Sequence, residues 1–306
     1  MSHVLRNAAG MTVRFIDLGG IITHIEVPDR DGRFANVVIG LPTREDYRRT
    51  SRIYCLGALV GRYAGRIAGA SYDGHELPAN EGRNTLHGGD DGFDVRDWAV
   101  EQMDAATARL TLVSPDGDQG FPGRLAVAVT YALEPDNVLR IRYEATTDAP
   151  TVLNLTQHSY FNLGGDPDLS GHRLQLFASR RAAVDAMSIP TGDFPEVAGT
   201  MFDFRAPRPI DADFDNSWIL DEPGGLAARL SHSASGRVLE VETSEPTCHM
   251  YNATHFPPDG PLRPRSCIAL ETQHLPDSPN RPEFPTTRLN PGETFRSETR
   301  WRFLVV

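Results

Sequence analysis

The feature that most limits what this chain can become is its punctuation. Short runs rich in Val, Ile, Leu and aromatic residues recur from end to end, and Gly, Pro, Asn or Asp separates most of them. The 27 Gly and 23 Pro work against long helices, since each costs about 1–3 kcal/mol in a helix interior. No segment much longer than 12 residues carries a 3.6-residue apolar period. Strands are therefore expected at 11–16, 20–27, 35–40, 97–103, 107–113, 124–133 and 138–147, and again at 151–156, 172–177, 237–242, 267–272 and 294–304. The clearest alternation sets Leu125, Val127 and Val129 against Ala126, Ala128 and Thr130, and Glu134-Pro135-Asp136-Asn137 turns it into the next strand. One short helix is expected at 43–49, just after Pro42. The fold class is all-β, a single large antiparallel β-sandwich over residues 1–306, for no repeat or linker divides the chain.

Composition removes several function classes. A net charge of −11 is the wrong sign for nucleic acid or an anionic membrane, and favours a neutral small molecule as ligand. All 30 basic residues are Arg, which excludes Schiff-base, pyridoxal-phosphate and P-loop lysine chemistry. Cys55, Cys248 and Cys267 are odd in number and widely spaced, which suits a reducing compartment better than a disulfide framework. With no signal-like segment and no long apolar run in the sequence, a cytoplasmic protein is expected.

The candidate chemistry lies in polar groups set into apolar or Gly-rich surroundings. His158 follows Val152-Leu153-Asn154-Leu155, and Glu271 closes the apolar run Cys267-Ile268-Ala269-Leu270. His87 stands before two glycines, Arg66 after Gly65, and Asp215 before Asn216-Ser217-Trp218. Taken one at a time, each has a plain structural reading as a turn, ion-pair or solvated residue. Ser114-Pro115-Asp116-Gly117-Asp118 lacks the glutamate and spacing of a calcium loop and reads as a turn. Metal-ligand spacing, dinucleotide fingerprints and the G-x-S-x-G elbow are all absent from the sequence.

Six blocks in order nevertheless resemble one family. They are Gly61-Arg62-Tyr63-Ala64-Gly65-Arg66-Ile67, then Leu86-His87-Gly88-Gly89 with Gly92-Phe93 and Trp98, then the segment from Ser114 to Gly123. Next come Asn154-Leu155-Thr156-Gln157-His158-Ser159-Tyr160-Phe161-Asn162-Leu163, then Phe214-Asp215-Asn216, and last Leu270-Glu271-Thr272-Gln273 with Pro276-Asp277-Ser278-Pro279-Asn280. From about residue 10 onward the chain resembles the aldose 1-epimerase (galactose mutarotase) family. The resemblance implies a mutarotase-like β supersandwich with an open sugar cleft, no cofactor and no metal. It implies a free monosaccharide as the molecule bound, and a monomer or weak homodimer.

The implied reaction interconverts α and β anomers. The anomeric hydroxyl loses a proton, the ring oxygen gains one, the open aldehyde rotates about C1–C2, and the ring recloses. By resemblance Glu271 is the base and His158 the acid, residue types suited to those tasks near neutral pH. Arg66 and His87 would donate near the ring oxygen, Asp215 would accept from sugar hydroxyls, and Tyr160 would shape the pocket. Two positions depart from the family pattern. Gly65 stands where an Asn is common, and His249 stands where a Gln often precedes Met250-Tyr251 by one place. Both would alter hydroxyl recognition. The alternatives are an epimerase of hexose 6-phosphates, a non-catalytic sugar-binding module, and a hydrolase or lyase on a similar sandwich. The module needs neither acid nor base, and the hydrolase would usually want a second carboxylate beside Glu271.

Overall fold

The computed structural model describes residues 1–260 and 262–306. Its largest sheet is antiparallel and nine-stranded. In order across the sheet it runs Ala99–Gln102, Thr107–Ser114, Leu125–Leu133, Val138–Thr147, Phe295–Val305, Arg237–Thr243, Leu226–His232, His172–Leu176 and Arg208–Pro209. The strict alternation in Val138–Thr147 buries Ile141, Tyr143 and Ala145 and leaves Arg142 and Glu144 in solvent. On the outer face arginines meet carboxylates across strands. Arg142 bonds Glu298 at 2.6 Å, Arg302 bonds Asp136 at 2.6 Å, and Arg229 bonds Glu240 at 2.5 Å.

A four-stranded sheet (Ser2–Arg6, Thr12–Ile16, Ile22–Pro28, Phe34–Asn36) and a five-stranded one share the large sheet's core. That core joins Leu5, Phe15 and Ile25 to Leu110, Tyr131 and Trp301, and to Trp218, Met250 and Leu270. The five-stranded sheet, in order Tyr160–Phe161, Ile268–Gln273, Thr247–Tyr251, Asp215–Ile219 and Arg180–Arg181, carries the functional candidates. Among the described residues no helix is long and apolar enough to cross a membrane.

The helix expected at 43–49 runs instead over Arg44–Tyr54. Thr43 caps it by accepting from Asp46 N–H at 3.1 Å, and Cys55 ends it in the left-handed conformation. Its buried stripe is Tyr47, Ser51 and Tyr54, too polar a pattern to read as an apolar period. The single strand expected at 151–156 is two short ones, Thr151–Val152 and Thr156–Gln157, because Leu153 and Asn154 pair with other loops. Strands Ser2–Arg6, Asp215–Ile219, Leu226–His232 and Thr247–Tyr251 are additional to those expected. The Ser114–Asp118 segment is a turn, as read: Asp118 pairs with Arg96 at 2.6 Å, and Asp116 accepts from Gly123 N–H at 2.6 Å.

Candidate active site

Strand alternation builds the site's floor. In the five-stranded sheet Ser217, His249 and Glu271 sit directly opposite one another on three adjacent strands, so their side chains share a face. The intervening residues Trp218, Cys248, Met250 and Leu270 point the other way and join the core. Glu271 is therefore the fourth of six residues in a buried strand rather than a solvated residue at a strand end. His158 lies between the short strands Thr156–Gln157 and Tyr160–Phe161. Its backbone is clamped on both sides, its N–H donating to Ala58 O and its carbonyl accepting from Gly57 N–H, each at 2.9 Å.

All eight residues singled out in the sequence line one half-open cavity of about 590 Å³: Gly65, Arg66, His87, His158, Tyr160, Asp215, His249 and Glu271. His158 Nε2 stands 3.3 Å from Glu271 Oε1, with 5% and 3% of the two side chains exposed. Nδ1 of His158 is buried without a hydrogen-bond partner among the described residues. The Tyr160 ring tilts against His158 at 4.9 Å between centroids and rests on Phe256, and burial raises its hydroxyl pKa well above the ordinary value. His87 approaches His158 edge to face at 5.5 Å.

His87, His158 and Glu271 bring donor atoms within 4.8 Å of one another, a set of residue types that can hold zinc. The His87 ring is preset otherwise. Gly65 N–H donates to its Nδ1 at 3.2 Å, so the neutral ring carries its proton on Nε2 and offers a donor there. That suits a sugar oxygen better than a cation.

The remaining charges are tied together. His249 Nε2 bonds Asp215 Oδ1 at 2.8 Å, and its Nδ1 bonds Ser217 Oγ at 2.9 Å. Burial alone would raise the Asp215 pKa, but the His249 bond and the positive charges of His249 and Arg66 hold it well below the carboxylate range. Burial likewise opposes charge on His249, but Asp215 and the nearby Glu271 raise its pKa. Arg66 is desolvated too, and its pKa is held above the ordinary value by a bond to Glu81 and by the charges of Asp215 and Glu271.

Gly65 proves to be a backbone requirement as well as a missing amide. Its φ is +78°, and a Cβ there would stand 3.0 Å from Pro276 Cγ. Sequence reasoning missed Glu81 and Ser217. Ser217 follows from alternation once strand Asp215–Ile219 is known, whereas Glu81 sits in a loop with no sequence signal.

Comparison with known proteins gives the family. The family model described as aldose 1-epimerase matches residues 1–302. The chain is 37% identical to the aldose 1-epimerase of Escherichia coli (strain K12), over 98% of this chain and 94% of that protein. It is 38% identical to the galactose mutarotase of Rattus norvegicus, over 96% and 92%. Among solved structures, an aldose epimerase homologue from C. elegans superposes with a TM-score of 0.94 at 28% identity, covering 100% of both chains. The galactose 1-epimerase of Lactobacillus acidophilus gives 0.87 at 32% identity, covering 99% of this chain and 93% of that one. With the family model matching residues 1–302 and relatives 37% identical over nearly the full chain, this chain belongs to the aldose 1-epimerase family.

Proposed function

We propose that the protein interconverts the α and β anomers of free aldoses. The observation that carries this reading is the buried His158–Glu271 pair, 3.3 Å apart in the cavity of a chain from this family. The anomeric and ring oxygens of an aldose are bonded to one carbon, so an acid and a base that serve them must themselves be neighbours. Glu271 takes the proton of the anomeric hydroxyl as the C1–O5 bond breaks and the carbonyl forms. The imidazolium of His158 gives its Nε2 proton to O5, leaving a neutral ring and a protonated carboxyl. Rotation about C1–C2 and the reverse transfers close the ring on the other face. Arg66 and His87 Nε2–H are donors for the oxygen on which charge develops, and Asp215 accepts from sugar hydroxyls.

The cavity's charge disfavours a sugar phosphate. Among the described residues its lining holds one arginine, Arg66, already paired to Glu81, against the carboxylates Glu81, Asp215 and Glu271. A bare binding module would have no use for the acid and base pair. The core that joins the three largest sheets supports reading residues 1–306 as a single domain. The three cysteines form no disulfide, which supports a cytoplasmic setting.

Polarimetry on freshly dissolved α-galactose, α-glucose and α-xylose tests the proposal. The protein is expected to hasten the approach to an unchanged final rotation. A rate equal to that of buffer alone refutes it.

A further inference from the structure

Arg66 lies in the cavity, yet its direct partner is a carboxylate that the anomer reaction does not use. Glu81 meets the guanidinium side-on, with Nε donating to Oε2 at 2.6 Å and Nη2 donating to Oε1 at 2.7 Å. This two-point fork is the same edge by which arginine grips a phosphate. Of the five N–H bonds of the guanidinium Glu81 leaves three, both of those on Nη1 and one on Nη2.

The loop that delivers Glu81 is braced for the purpose. Asn80 receives the Leu86 N–H at 2.8 Å and donates to the Leu86 carbonyl at 3.0 Å. Glu81 and Asn84 exchange backbone hydrogen bonds, and Thr85 Oγ1 donates to Pro78 O at 2.8 Å. Only 17% of the Arg66 side chain is exposed, against 36% of Glu81, so the pair spans the cavity's lip. A half-exposed carboxylate gains little stability from such a pair. Its placement at the mouth of a binding cavity points to selection of what enters.

We propose that Glu81 is a specificity-determining residue that occupies the phosphate-binding edge of Arg66, leaves Nη1 for a neutral sugar, and keeps anionic sugars out of the cleft. The inference rests on the reading of this cavity as an aldose site. In an aldopyranose, C6 is attached to the carbon that bears the ring oxygen. A phosphate on C6 therefore falls within reach of a guanidinium that serves that oxygen. With Glu81 present the fork is filled, and three carboxylates face an incoming group that carries about −1.5 to −2 charges at neutral pH. Repulsion of the wrong ligand is how such discrimination is commonly reached.

Glu81→Gln keeps the shape and removes the charge, and Glu81→Asp keeps the charge but shortens the reach. Inorganic phosphate binding is measured by calorimetry at constant ionic strength, and kcat/KM for galactose and galactose 6-phosphate by exchange NMR of the anomeric protons. Glu81→Gln is expected to tighten phosphate binding at least tenfold and to lower the galactose preference at least tenfold. Glu81→Asp is expected to lower kcat for galactose severalfold through the loosened guanidinium and to tighten phosphate binding less than Glu81→Gln does, because the third carboxylate charge remains at the cavity mouth. Phosphate affinity and preference within twofold of the natural protein in Glu81→Gln overturn the inference; should Gln disturb the loop, Glu81→Ala gives the same comparison. A natural protein that fails to mutarotate galactose would sink the aldose reading instead, and calorimetry would still decide the role of Glu81.

Discussion

His172 is fully buried at the start of strand His172–Leu176, where Leu163 N–H donates to its Nε2 at 2.9 Å and its ring lies 4.8 Å from that of His232. Burial, reinforced by the charge of His232, lowers its pKa from 6.5 to about 4. The folded protein therefore holds this ring neutral over a range where the unfolded chain protonates it. The contribution is fully present above pH 6.5 and is lost as the pH falls towards 4. With those two pKa values, the loss is about 2 kcal/mol by pH 5 and about 3 kcal/mol by pH 4. Urea unfolding at pH 7.5, 6 and 5 measures it, with His172→Gln as the comparison. The variant is expected to be less stable at pH 7.5 but to lose about 2 kcal/mol less between pH 7.5 and 5. His249 has a raised pKa and acts with the opposite sign, losing its contribution as the pH rises, but it is present in both proteins and cancels. Parallel pH dependences, within about 0.5 kcal/mol, would refute the assignment to His172.

Further outcomes bear on the site. Glu271→Gln should lower kcat for galactose at least about a hundredfold with an unchanged circular dichroism spectrum, since the amide is no base; more than a tenth of the activity remaining would remove Glu271 from that role. His158→Asn should reduce kcat far more than it raises KM, because its proton is given in the transition state; a change in KM alone would make it a binding residue. His249→Gln should raise the galactose-over-xylose ratio of kcat/KM more than about twofold (roughly 0.4 kcal/mol), as the restored amide meets hydroxyls that a pentose lacks; a ratio inside that band would show that His249 does not set specificity. Gly65→Asn is a poorer test of the same idea, since its Cβ must displace Pro276.

What could be read from the sequence was of two kinds. Strands with strict alternation, such as Val138–Thr147, announce themselves because one face is core and the other is water. Asp215–Ile219 and Thr247–Tyr251 do not, because their second face lines a polar cavity and carries Asp215, Ser217 and His249. The same cause hides the burial of Glu271, a carboxylate in mid-strand opposite His249. Seven of the eight candidate residues were legible because the motif blocks that carry them stand in recognisable order, and His249 was legible as a departure from the family pattern. Glu81 had no such context. Its partner lies 15 residues away, and only the fold of the intervening loop brings the two within 2.6 Å.

Among the described residues the guanidinium that lines the cavity is that of Arg66, and the chain contains no lysine anywhere. A protein that opens sugar rings creates, at every turnover, the electrophile responsible for glycation. Aldehydes condense with unprotonated amines, and arginine stays protonated at any physiological pH. The open-chain sugar therefore meets no side-chain amine, either in the cleft or on its way out. Borohydride added during turnover would reduce the free aldehyde but would find no side-chain imine to trap. The protein can work in concentrated sugar without its side chains accumulating the Schiff bases that this intermediate forms with lysine-bearing proteins.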